Sequence, residues 1–227
     1  DPHPRSGPPT TGRTGRAPAP PGRISVARGR AAGHDRRMDY VIRGIRADEW
    51  ERARDIRLAA LRDPVAPLAF LESYEQAAAR PDTFWRERTA DAATGRHVRQ
   101  FVAEAPDGEW AGTASVLVER PAGEVRFGAA AERDQTHLVG VFVRPEHRGR
   151  GVVDALFREA IDWSWALPGP PVERVRLYVH EDNARAAASY RRIGFVPSGV
   201  TIPMEGDPAA RELEFEVRRH PAADVTR

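Results

Sequence analysis

The segment from Thr136 to Ala166 constrains the fold more than any other. Thr136 to Val143 is a strand-forming run that ends at Arg144 and Pro145 and passes through Arg148, Gly149, Arg150 and Gly151. A helix leaves that loop at Val152, with Val153, Leu156, Phe157, Ala160 and Ile161 along one face, and Pro168 to Pro171 stops it. A strand and a helix joined this tightly each keep an apolar face that other elements must cover. A layered α/β domain is therefore expected.

The rest of the chain supplies those elements. Tyr40 to Ile45 reads as a short strand, and Asp48 as the N-cap of a helix whose stripe is Trp50, Ala53, Ile56, Ala60 and Leu61. Asp63 and Pro64 stop that helix, a loop runs from Pro64 to Phe70, and helical stretches follow over 72–79 and 82–89. Strands over 98–104 and 110–119 are joined by a turn at Pro106, Asp107 and Gly108. Val175 to Val179 is a strand, Asn183 to Ile193 a helix closed by Gly194, and two short strands are expected near 195–197 and 212–218. No internal repeat is visible.

Length and composition limit the function classes. The 227 residues suffice for one domain with a buried core but not for two ordinary ones. No apolar run approaches the roughly 20 residues of a membrane helix, so no membrane role is expected. With no cysteine, disulfides, thiolate metal sites and a thiol nucleophile are excluded, which fits a reducing, cytoplasmic setting. Lysine is also absent, and all 35 basic residues are arginine, as coding bias in a GC-rich genome would produce. Residues 1–37 hold eight of these arginines against two aspartates; the remainder holds 27 against 31 acids and is net acidic. That first segment is rich in Pro, Gly, Arg and Ala and buries almost nothing, so it reads as a disordered extension, with Met38 as the natural start and 38–227 as the domain. It lacks aromatic residues to stack on bases, and no specific nucleic-acid binding is expected.

Two strand-to-helix junctions carry the chemistry. Where the helix starts at Val152, unpaired backbone N–H groups and the positive end of the helix dipole suit a pyrophosphate. Gly149 and Gly151 let the backbone approach such a ligand, and Arg148 and Arg150 offer charge-assisted contacts. At the second junction, Asn183 lies at the start of a helix and Tyr190 follows seven residues later near the same face. Taken without other information, Tyr190 is equally a core tyrosine and Asn183 an ordinary cap.

Together the two segments resemble the GNAT acetyltransferase superfamily. The first matches its V-x-P strand end and R/Q-x-x-G-x-G/A loop through Val143, Pro145, Arg148, Gly149, Arg150 and Gly151, with Val153 in place of the last small residue. The second matches through Asn183, Ala187, Tyr190, Gly194 and Phe195, within one residue of the family spacing. The resemblance runs from about Tyr40 to Arg218 and is densest between Leu138 and Phe195. It implies a single domain whose mixed, mostly antiparallel sheet splays near its fourth strand and holds acetyl-CoA in the gap. It further implies that Val141, Phe142 and Val143 face the pantetheine and thioester, that Arg148 to Val153 hold the pyrophosphate, that Asn183 holds the pantetheine arm and that Tyr190 protonates the leaving thiolate.

The acceptor follows less directly. Some family members carry a glutamate base five residues before the asparagine, where this chain has Tyr178. Glu104, His137 and His180 remain, and Glu104, acting through water, is the base chosen here. His137, His147 and His180 do not have the spacing of a usual zinc set, and no metal is expected. The expected acceptor is the primary amine of a small molecule, in a pocket shaped by the Pro64 to Phe70 loop and by Tyr74, Phe84 and Trp85. Alternatives are a protein N-terminus or lysine as acceptor, or a CoA-binding module without turnover. A homodimer paired through the late strands near Glu212 to Arg218 is also expected.

Overall fold

The computed structural model describes residues 39–219; the 1–37 extension and the start assigned to Met38 lie outside them. Seven strands form one sheet in the order β1-β2-β3-β4-β5-β7-β6. They are β1 (Val41–Gly44), β2 (Val98–Glu104), β3 (Trp110–Glu119), β4 (Gln135–Val143), β5 (Arg174–His180), β6 (Val196–Met204) and β7 (Asp207–Arg218). All neighbours are antiparallel except β4 and β5. Five helices flank it: α1 (Trp50–Leu61), α2 (Tyr74–Ala78), α3 (Asp82–Thr94), α4 (Val152–Trp165) and α5 (Ala184–Ile193). None of the described helices is long and apolar enough to cross a membrane.

The apolar stripes put the helices on opposite faces. On one face α4 buries Leu156, Phe157 and Ala160 against Phe101, Ala114, Leu138 and Leu177 of the sheet, and α5 adds Ala187. On the other, Ala53, Ile56 and Ala60 of α1 and Ala92 of α3 pack on Val102, Trp110 and Phe142. Phe157 is fully buried; Tyr190 stacks on it with ring centroids 5.4 Å apart, and Phe195 meets it edge-on at 5.7 Å.

Several local expectations are corrected. Asp48 does not cap α1; the capping position is Glu49, whose carboxylate accepts from the Arg46 amide (2.9 Å) and from Arg43 and Arg46 guanidiniums rather than from the helix's own amides. α2 is shorter than expected and opens with a capping box between Ser73 and Gln76, whereas α3 runs on to Thr94 and ends at Gly95 in the left-handed region (φ 67°). The two late strands are much longer than read and form a hairpin. Pro197, Gly199 and Pro203 hid β6, and register shifts beside both prolines absorb them. β7 lies between β5 and β6 and is hydrogen-bonded to both, which makes β6 the outer strand at this end of the sheet.

The decisive feature is the β4–β5 junction. It pairs only Gln135 with Arg174, Thr136 with Val175 and His137 with Arg176; beyond His137 the strands part. A buried polar network holds them together up to that point. Arg176 reaches Glu119 (2.8 Å) and Glu214 (3.0 Å), Glu119 accepts from His137 (3.0 Å) and Gln135 (2.7 Å), and Tyr178 donates to Glu214 (2.9 Å). Burial alone would raise the Glu119 carboxyl, but His137 and Arg176 bring it down to about 2. A depressed carboxyl contributes stability that is present above its unfolded value of 4.5 and lost as pH falls toward 2.

Two stability measurements follow. Phe157→Ala should cost about 3–5 kcal/mol in urea unfolding; a loss near zero would mean that α4 is not anchored through this ring. Glu119→Gln should be less stable at neutral pH, and its stability should fall less than that of the unmutated protein as pH drops from 4.5 toward 2. Parallel pH curves would remove Glu119 from the acid-labile part of the fold.

Candidate active site

Because β4 and β5 part, β4 presents a free backbone edge. The Arg144 amide turns toward β3, donating to the Ala111 carbonyl (2.9 Å). By strand alternation the backbone groups of Val141 and Val143 then turn the other way, into the gap. Gly140, at φ 61°, makes a bulge against β3, where Thr113 faces Phe142 but Ser115 faces Val139. Beside the bulge Gly140 lines a small cavity under α1 and α3, and Val141 to Val143 line a large cavity at the open edge of the strand.

That cavity, about 630 Å3, has β4, the loop after it and α5 as its walls. It brings together Val141, Phe142, Val143, Arg148, Gly149, Gly151, Val152, Val153, Asn183 and Tyr190. The loop turns tightly over Pro145–His147 and then uses Gly149 (φ 74°) and Gly151 (φ 80°) in left-handed conformations. Gly151 caps α4 with no side-chain bond to its first-turn amides, so these N–H groups are open to an anion. Gly112 of β3 lies behind this turn; a methyl group there would come within 2.8 Å of the Phe142 carbonyl oxygen and 3.2 Å of Val152. Neither Gly112 nor Gly140 was singled out from the sequence, although a glycine inside a strand is a readable sign of a bulge or close approach.

Other expected site residues have additional or different partners. Arg148 lines the cavity, but its Nε donates to the Val143 carbonyl (3.0 Å) and its guanidinium pairs with Asp63, bracing the loop. Arg150 is exposed and does not line the cavity. Asn183 both lines the cavity and caps α5, its side-chain oxygen accepting from the Ala186 amide (3.2 Å). Tyr190 lines it too, and burial pushes its hydroxyl up to about 12, so it carries its proton at neutral pH. Asp63 and Phe70 join the lining from the loop after α1.

Glu104 lies elsewhere: its carboxylate pairs with Arg43 (2.7 Å) and is 3.7 Å from Arg52, outside the cavity lining. The three histidines are dispersed. His137 bonds Glu119, His147 bonds the Tyr40 hydroxyl (3.0 Å), and His180 accepts from the Asp182 amide (3.1 Å). Tyr178 belongs to the buried network, not the cavity. Of the aromatics expected at the acceptor pocket, Trp85 lines a second, smaller cavity under α1 and α3, while Tyr74 and Phe84 pack with it and Leu61 in a separate cluster.

Comparison with known proteins agrees with this fold. The family model described as Acetyltransferase (GNAT) family matches residues 50–195. Among solved structures, the fold is similar to a GNAT-family acetyltransferase from Streptococcus pneumoniae (16% identity, TM-score 0.60, covering 79% of this chain and 99% of that one). It is also similar to a ribosomal-protein alanine acetyltransferase from Vibrio fischeri (16%, 0.59, 79% and 92%). A third is spermidine N-acetyltransferase from Vibrio cholerae, solved in complex with CoA and spermine (16%, 0.52, 79% and 95%). No curated protein sequence matches. At these identities the likeness is one of fold.

Gly151→Glu places a bulky anion at a left-handed position beside the open amides. It should weaken acetyl-CoA binding by about 100-fold or more in calorimetric titration while the circular dichroism spectrum is retained. Unchanged affinity in a folded variant would place the phosphates elsewhere.

Proposed function

The chain belongs to the GNAT acetyltransferase family, whose co-substrate is acetyl-CoA, and from that membership we propose that it acetylates the primary amine of a small molecule by direct attack. The observation that supports this reading most is the free β4 edge ending at an uncapped helix start. Bound there, acetyl-CoA supplies a thioester whose acetyl carbon is open to a nucleophile.

The protein's own groups divide the work. The amides opening α4, at Val152 and Val153, hold the pyrophosphate, and Gly149 and Gly151 allow the close approach. Val141 and Val143 pair with the pantetheine arm as a fifth strand would, and an N–H of this edge stabilises the negative charge that develops on the carbonyl oxygen. As the amine nitrogen bonds to the acetyl carbon and the carbon–sulfur bond breaks, Tyr190 donates its phenolic proton to the departing thiolate. With no cysteine in the sequence, no protein thiol can carry the acetyl group between the two substrates. The proton lost by the amine passes to solvent water, since Glu104 is ion-paired with Arg43 and lies outside the cavity lining. A cavity of about 30 Å3, with room for one small polar group, supports a small-molecule acceptor.

Turnover is best read as released CoA thiol, since the cysteine-free protein contributes no background. Tyr190→Phe keeps the ring stacked on Phe157 but removes the proton. Its kcat should fall about 100-fold with acetyl-CoA affinity unchanged. An unaltered kcat would assign thiolate protonation to solvent.

A further inference from the structure

The smaller cavity lies under α1 and α3 and meets β4 at Gly140, next to the residues that line the gap, and its chemistry is one-sided. Its floor is Gln100 of β2, Thr113 and Ser115 of β3 and Gly140 of β4; its roof is α1 and α3. Arg57 and Arg88 line it from those helices, and no carboxylate does, among the described residues. Nearby, one carboxylate serves two guanidiniums: Glu72 meets Arg57 at 3.2 Å and Arg80 at 3.6 Å. Arg88 has no ion-pair or hydrogen-bond partner among the described residues. Of the two arginines lining the cavity, Arg57 shares its only carboxylate with Arg80 and Arg88 has none, so the lining is net positive.

A second observation is independent of charge. Trp85 lines the same cavity, is only 2% exposed, and its indole N–H has no hydrogen-bond partner. A buried donor without an acceptor is costly, and in a cavity whose charged lining is two arginines the ligand that suits it is an anionic acceptor of hydrogen bonds. Burial pushes Arg57 down from its ordinary value; Glu72 opposes this, and the Arg88 charge adds repulsion.

We propose that this cavity binds the carboxylate of the acceptor, making the substrate a small amino carboxylate: Arg57, Arg88 and Trp85 hold the carboxylate, and its amine is directed past Ser115 and Gly140 to the β4 edge. This rests on the acetyl-transfer reading above and narrows its substrate class. A planar carboxylate matches the guanidinium fork and fits a cavity of about 30 Å3. A polyamine, with a positive charge on every nitrogen, meets the same arginines as repulsion.

The test measures binding and turnover with matched probes on the full chain: L-leucine against L-leucinamide, γ-aminobutyrate against butylamine, and spermidine. The amine of an amino acid is more basic than that of its amide, so each acid-to-neutral ratio is compared with the same ratio in Arg88→Ala. Arg88 is exposed, and its replacement should leave folding intact. The CoA-loaded protein should bind and acetylate at least one acid of the panel in preference to its neutral partner. Arg88→Ala should reduce that ratio by about tenfold or more, and Trp85→Phe should lower it as well, with acetyl-CoA affinity unchanged in both. Equal or better use of the neutral amines or spermidine, or ratios unmoved by Arg88→Ala, would overturn the proposal while leaving acetyl transfer standing. Binding of no amino carboxylate at all would also overturn it. Acetyl-CoA titrated in the same samples reports separately on the parent reading, which fails if the cofactor does not bind.

Discussion

The site depends on where two parallel strands stop being partners. β4 and β5 run together for three residue pairs and separate after His137, and every other element of the site is placed by that separation. Strands normally satisfy one another's backbone groups, so a free edge inside a sheet is tolerated only where something else supplies the hydrogen bonds. A ligand with amide groups of its own, such as a pantetheine arm, meets that requirement. The separation begins just beyond the buried ion network of Glu119, His137, Arg176, Glu214 and Tyr178, which ties β3, β4, β5 and β7 together at the closed end of the wedge. Buried ion pairs of this kind add little net stability compared with apolar packing, but they are demanding in geometry. Here they set the point from which the strands diverge.

The same strand borders both cavities. Its bulge at Gly140 shifts the register against β3, and the strand lines the small cavity at Gly140 and the large one from Val141 onward. The proposed direct transfer would use this juxtaposition, because acceptor and donor must meet at one carbonyl. The helices divide accordingly. α4 and α5 bring the uncapped amides and Tyr190, while α1 and α3 bring Arg57, Trp85 and Arg88.

The site's first half was legible in the sequence because it is local. Val141 to Val153 and Asn183 to Tyr190 are each contiguous, and glycine, proline and the change from strand to helix period announce them. What could not be read depends on distant residues meeting. Glu104 looked like a base on a strand end, but Arg43 on the neighbouring β1 pairs with it. Glu49 displaced Asp48 at the start of α1 because two arginines and the Arg46 amide converge on it. β6 was concealed by prolines that a bulged outer strand accepts. The small cavity combines positions 57, 85 and 88 with 113, 115 and 140, and no local pattern connects them.

The free edge of β4 is tested most directly by amide hydrogen exchange with and without acetyl-CoA. The cofactor should slow exchange in peptides covering Val141 to Val143 and Gly149 to Asp154, with a smaller effect at the start of α5 and none over the β6–β7 hairpin. Saturating acetyl-CoA that leaves the β4 peptides unprotected, or protects a different face of the sheet instead, would contradict the assignment of the gap as the site of acetyl transfer.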